Sequence, residues 1–213
     1  MLQYNDSYSS LPPAVTSKKD KPPSSWRVRL FPDYHDSAGN ALKYSFDEPW
    51  NGPQNSLISG NQTKMFHCPL DPAPLFNTSY LAVIGPKTLF PNAGQTRPED
   101  IINSEYRKNE YGDRLLTGGA ENTIVLVERH NSGIHWMEPR DISIDDLCGS
   151  TVDSTRPSIQ ATHSIGLFEG GGPRALFADG SVRYLNPNID PKLLRSLLEI
   201  DNPDKPKEKY NSP

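Results

Sequence analysis

The chain has 213 residues, enough for one domain of ordinary size, and only 34 % are hydrophobic, against roughly 45 to 50 % with glycine counted in for globular chains, so a small core is expected. A net charge of -4 and a pI near 5.7 remove the electrostatic case for a nucleic-acid partner, while 21 prolines and 15 glycines speak for short elements joined by long loops rather than a helical bundle. No run has the length and apolarity of a membrane span, and no signal-peptide pattern opens the chain.

In chain order, Tyr4, Tyr8 and Leu11 recur at helical spacing, as in the last turns of a longer helix, and Pro12-Pro13 ends that pattern. Thr16 to Ser25 reads as a polar connector, so residues 1–25 are expected to be a helix end and linker, 26–200 a globular domain and 201–213 a disordered tail. Trp26 to Phe31 fits either a strand or a helix capped by Ser24 or Ser25. A short helix is expected near Gln54 to Ile58, and the proline-bounded stretch Met65 to Pro72 reads as irregular.

Tyr80 to Ile84 is a strand by its β-formers and its Gly85-Pro86 stop. Thr96 and Glu99 have capping-box spacing, which predicts a short helix, and Asn103 to Glu121 looks exposed and mobile. Thr123 to Glu128 is the most apolar β-like run and is expected at the sheet centre, buried on both faces.

Asp179-Gly180, between two β-prone runs, predicts a hairpin with a type I′ turn. That register opposes Phe177 to Val182, Leu176 to Arg183 and Ala175 to Tyr184, with Ala175, Phe177, Val182 and Tyr184 on the buried face. Asp190-Pro191 then combines an N-cap with the proline favoured at the first helical position, and Leu193, Leu194, Leu197 and Leu198 form one apolar helical face.

Ligand-type side chains concentrate at Glu128, His130, His135, Glu138 and Asp141, but no pair has the one-turn spacing of a helical zinc motif. Solvated polar residues around a turn are the plainer reading, and no metal is assigned. Calcium at Asp179 is chemically allowed, although an Asp-Gly turn accounts for the pair without an ion. Trp50 and Trp136 could form a ligand platform, with burial as the plainer role. Gly170 to Gly172 lacks a phosphate-binding lysine and leads into a strand. Cys68 and Cys148 fit one disulfide or two free thiols, and spacing does not choose.

Phe177-Ala-Asp-Gly-Ser-Val-Arg-Tyr184, followed by Ile189-Asp-Pro and a leucine-rich helix, resembles the C-terminal signature of the planctomycete pseudopilin-like domain of unknown function, often labelled a prepilin-type cleavage/methylation protein. The blocks Tyr4 to Ala14, Ser25 to Val28, Asp47 to Asn51, Phe66 to Pro72, Thr78 to Tyr80, Glu121 to Glu128 and Trp136 to Asp141 are similar to its successive motifs, in the same order. The resemblance implies a pseudopilin-like α+β fold with an antiparallel sheet and a long N-terminal helix that anchors the family in the inner membrane. This chain starts after that helix should have ended, as in a soluble paralogue, a trimmed chain or a gene whose start was placed too late. The family also carries a histidine ten positions before the Asp of Asp-Gly, where this chain has Glu169.

The expected function is therefore a non-enzymatic head domain of a type II secretion-like or other envelope filament system, on the periplasmic face if the anchor exists upstream. Its partners would be like subunits or other envelope proteins, and it would need no cofactor. The structural motif is Phe177, Asp179, Gly180, Ser181 and Arg183. The alternative is a module binding carbohydrate or an exported substrate through Trp50, Trp136, Glu138, Asp141 and Glu169. A metal-dependent hydrolase is the third reading.

Overall fold

The computed structural model describes residues 12–16, 20–30, 34–35, 41–60, 63–91, 106–108, 114–116, 120–148, 172–200, 202–206 and 208–211. The strands before the sheet centre are β1 (Val15–Thr16), β2 (Ser24–Ser25), β3 (Tyr34–His35), β4 (Ala41–Leu42), β5 (Tyr80–Ile84), β6 (Tyr106–Lys108) and β7 (Arg114–Leu116). After them come β8 (Ile124–Glu128), β9 (Ile142–Ser143), β10 (Arg174–Phe177) and β11 (Val182–Tyr184). The fold is α+β. A five-stranded sheet of order β11-β10-β8-β5-β9 forms its frame, antiparallel except for the parallel β5–β9 pair.

β8 lies at the centre, as its uninterrupted apolar run requires. Leu81, Val127 and Ala175 line up across the sheet toward one face, while Ala82, Leu126 and Leu176 line up toward the other. The register shifts between Leu176 and Phe177, which pairs with Ile124, so Val125 is an extra residue in the β8 strand. Val125 and Leu126 consequently both pack on the second face, and Ile124 returns to the first.

The first face is covered by the helix Pro191–Leu198 and the short helix Ile144–Cys148. Asp190 caps the longer helix by accepting from the Lys192 and Leu193 amides at 2.7 and 3.1 Å, and Pro191 follows it. Leu194, Leu197 and Leu198 are fully buried, and Leu193 packs at their edge. The second face is covered by chain from the N-terminal half. Trp26–Arg29 is a helix, not a strand, because Ser25 Oγ accepts from the Arg27 amide at 3.2 Å. Asn55–Ile58 is a 3-10 helix at the expected place, whereas Thr63–Phe66 makes one helical turn that takes in the first two residues, Met65 and Phe66, of the stretch read as irregular.

The hairpin turn differs from its expected form. β10 and β11 pair as Arg174 with Tyr184, Ala175 with Arg183 and Leu176 with Val182, one residue out of the type I′ register. Gly180 donates to the Phe177 carbonyl at 2.9 Å and the Phe177 amide donates to Ser181 at 2.9 Å, so the loop is Ala178-Asp179-Gly180 with only Gly180 at positive φ (82°). That is a type I turn followed by a glycine bulge. Because side chains alternate, the slip exchanges faces. Ala175 and Phe177 remain buried, but Val182 is 62 % exposed and Arg183 takes the inner side, its guanidinium 3.3 Å above the Phe177 ring centre.

Arg183 also corrects the expectation of a disordered tail. Its Nη1 donates to the Tyr210 carbonyl at 2.6 Å and its Nη2 to the Glu121 carbonyl. Tyr210 is buried against Phe177, and its amide donates to Asn122 Oδ1 at 2.8 Å. Asn122 Nδ2 in turn donates to the Pro206 and Glu208 carbonyls, both at 2.9 Å. Buried amide bonds hold this polar segment where apolar area alone would not. The expected linker is also partly docked: β1 pairs with β2, Ala14 and Val15 are buried, and the Trp26 amide donates to Ala14 at 3.0 Å. Within the stretch read as exposed and mobile, β6 and β7 pair as a hairpin. The predicted helix after Thr96 and the N-terminal pattern Tyr4 to Leu11 lie outside the described residues.

Candidate functional site

The end of β8 and the turn after the helix Thr63–Phe66 meet at a buried polar centre. Pro69 sits at the second position of a tight turn closed by the Asp71 amide donating to the Cys68 carbonyl at 2.9 Å. Asp71 then binds three parts of the chain at once. Its Oδ1 accepts from the Ala73 and Asn131 amides at 3.0 and 3.1 Å, and its Oδ2 accepts from Ser79 Oγ at 2.7 Å. Ser79 Oγ accepts from the Cys68 amide at 2.9 Å, so the cysteine backbone is fixed to the residue before β5 through the same network. Burial works against the Asp71 charge, but these donors hold its carboxyl below the ordinary carboxylate range.

Within this frame Cys68, Glu128 and His130 are 3, 1 and 6 % exposed, and one ligand atom from each lies within 4.8 Å of the others. Glu128 Oε1 is 3.7 Å from His130 Nε2, and Glu128 Oε2 accepts from the Arg174 amide at 3.1 Å. Asn131 takes positive φ (51°), which asparagine tolerates, and turns the chain directly after His130. Burial, and then a hydrogen bond to Glu128, push the Cys68 thiol up to about 11. The thiol is protonated at neutral pH. A nucleophilic cysteine needs the opposite environment.

A second buried polar centre is an ion pair. Arg27 Nη2 lies 2.6 Å from Asp141 Oδ1, and both side chains are 0 % exposed. The same carboxylate oxygen accepts from the Ala82 amide at 2.8 Å and from Trp26 Nε1 at 3.2 Å, while Arg27 Nη2 donates to the Tyr80 carbonyl at 2.9 Å. Burial pushes the aspartate up and the arginine down, and each is opposed by its partner's charge. The pair and its donors take the place of the water lost on burial. The arrangement latches the Trp26–Arg29 helix onto β5.

Aromatic rings fill the rest of this face. Phe66 stacks on Trp136 at 5.6 Å, Trp26 meets Phe66 edge-on at 5.9 Å, and His135 stacks with both Trp50 at 4.8 Å and Phe76 at 5.8 Å. Trp136 Nε1 donates to the Ser59 carbonyl at 2.8 Å. Burial lowers the His135 pKa, against a smaller opposing pull from Glu138, and the ring is neutral at pH 7.

The five ligand-type residues from Glu128 to Asp141 do not form one site. Glu128 and His130 face Cys68; His135 joins the rings; Glu138 accepts from Arg140 Nε at 2.7 Å; Asp141 holds Arg27. Trp136 is internal at 0 % exposure and Trp50 is partly exposed, while Asp141 has a buried side chain but lines a cleft with Arg129 and Arg140. That cleft, of about 420 Å³, is also lined by Ser132 and Asp146 among others. Asp179 accepts from the Ser181 amide at 2.9 Å and from Lys209 Nζ at 3.0 Å. Cys68 and Cys148 are separate free thiols, and Glu169 lies outside the described residues. Cys68 is the member of the trio that the sequence reading left out; its signal was the histidine and aspartate beside it in His67-Cys-Pro-Leu-Asp71.

An antiparallel-based sheet with helices on one face and a ring-lined, polar-latched second face defines a small α+β domain whose buried groups tie distant segments together. The chain belongs to the family described as a protein of unknown function (DUF1559), which matches residues 1–145. The Asp-Gly hairpin and the Pro191–Leu198 helix lie beyond the matched residues. No curated protein and no solved structure matches the chain. Among the described residues no helix is long and apolar enough to cross a membrane.

Proposed function

We propose that the chain is a pseudopilin-like, non-enzymatic head domain that works in a cell-envelope filament system by packing against like subunits. One observation carries this reading. Of the seven large apolar side chains exposed among the described residues, Leu57, Met65, Leu70, Leu75 and Phe76 come from one stretch of chain, and Phe46 and Val182 lie outside it. That stretch is rooted in the aromatic face: Phe66 stacks on Trp136, Phe76 stacks on His135, and Ser59 accepts from Trp136. Apolar side chains held outward on a rigid base suit a packing surface better than a reaction centre. The order of short motifs resembling planctomycete prepilin-type proteins supports the same reading.

The test is sedimentation of the purified chain over a wide concentration range, with a Leu70→Ser, Leu75→Ser, Phe76→Ser variant beside it. The expected result is concentration-dependent association that the variant loses without a change in melting temperature. A chain that stays monomeric throughout, and forms no crosslinks in its own cells, overturns the proposal. The alternative, a module for carbohydrate or an exported substrate, rests on the polar cleft beside Arg129 and Arg140. A glycan array without a binder counts against it.

A further inference from the structure

We propose that Cys68, Glu128 and His130 form a zinc site. Three observations carry it. First, the donor set is right: a thiol, an imidazole and a carboxylate together favour Zn²⁺ over the hard, oxygen-seeking ions. Second, the spacing is close to what the metal needs. Bond lengths of about 2.0 to 2.3 Å put tetrahedral ligand atoms roughly 3.3 to 3.8 Å apart. Glu128 Oε1 and His130 Nε2 already stand at 3.7 Å, and all three ligand atoms lie within 4.8 Å of one another. Closing the set needs shifts on the order of 1 Å.

Third, the backbones of the ligands are fixed by groups that are not themselves ligands. Asp71 accepts from the Asn131 amide, next to His130, and from Ser79 Oγ, which accepts from the Cys68 amide. Glu128 is held by its place in β8 and by the Arg174 amide. Such a shell orients metal ligands and restricts their motion.

Zinc binding releases the thiol proton of Cys68 to solvent, so that a thiolate and a carboxylate face the dication. Three protein ligands leave one tetrahedral position for water. The site would tie the turn after Phe66 to the end of β8, the root of the apolar stretch Leu57 to Phe76. It does not depend on that stretch being a packing surface.

The experiment uses the full chain, stripped with a chelator and titrated with Zn²⁺ against a chromophoric competitor, and separately loaded with Co²⁺. One equivalent should bind, and the cobalt form should show a thiolate-to-metal charge-transfer band with tetrahedral ligand-field intensity. Cys68→Ser and His130→Gln should each weaken binding more than about 100-fold, beyond the loss typical of outer-shell changes. Failure of the wild-type chain to bind one equivalent, or a cobalt spectrum without the thiolate band, overturns the proposal even if the variants do not fold. Unchanged affinity in a folded Cys68→Ser variant also overturns it.

Discussion

On the face of the sheet under the helix Pro191–Leu198, Leu81, Val83, Val127, Ala175 and Phe177 meet Leu194, Leu197 and Leu198, an almost wholly apolar layer. On the other face, Ala82, Val125 and Leu126 meet Trp26, Phe66 and Trp136, and the Arg27–Asp141 pair lies buried at the edge of the same layer. The first face can be filled by any side chains of suitable volume, since burial of each leucine is worth about 1.5 to 3 kcal/mol in almost any packing. The second depends on directional partners. Small hydrophobic content leaves too few aliphatic side chains for two such layers, and rings with buried hydrogen bonds complete the second.

The largest expected effect breaks the polar layer. Asp141→Ala leaves the Arg27 charge buried without its partner and should cost about 3 to 5 kcal/mol in urea unfolding. Restoring apolarity with Arg27→Met and Asp141→Leu together should recover only part, because the Ala82 amide and Trp26 Nε1 also lose their acceptor. Full recovery would show that the face needs only volume, as the apolar one does. Next comes Gly172→Ala, two residues before β10. A Cβ there would overlap the Leu185 carbonyl oxygen, which is backbone and cannot rotate away. The cost should be about 1 to 3 kcal/mol or more, read as a lowered melting temperature; an unchanged one would mean that β10 can lift from β11 freely.

Gly180→Ala should cost roughly 1 kcal/mol, since φ is 82° at that position. The expectation survives the change of turn type, because glycine is the positive-φ residue in both loops. The smallest effect is titratable. Burial opposes the Asp179 charge, but hydrogen bonds from Ser181 and Lys209 hold its carboxyl down at about 2. A depressed carboxyl stabilises the fold above its unfolded pKa near 3.9 and loses that contribution as pH falls from there through about 2. Asp179→Asn should flatten that part of the acid limb, and an identical limb would dissociate the hairpin from acid stability.

The apolar face was legible in the sequence and the polar one mostly was not. Tyr80 to Ile84, Ile124 to Glu128 and Asp190 to Leu198 announce themselves through local periodicity and a local cap. The Asp-Gly pair gave the hairpin but not its register, because a glycine at positive φ serves two- and three-residue loops alike, and Ala178 decides between them. Tyr210 looked like part of a solvated tail because its partners, Asn122 and Arg183, are far away in sequence. The same holds for Cys68. Glu128 and His130 stood out by proximity, and only the turn after Phe66 brings the thiol to them.

The Arg27–Asp141 latch joins residues 114 positions apart, and both ends lie inside the domain. Closing so long a loop is repaid only after β5 exists to receive the Trp26–Arg29 helix, so the latch belongs to the late stage of folding. Its loss should therefore speed unfolding far more than it slows folding, which the two arms of a chevron would separate. What looks at equilibrium like a stabilising contact acts in time as a bolt: it contributes little to assembling the domain and much to how long the assembled domain lasts.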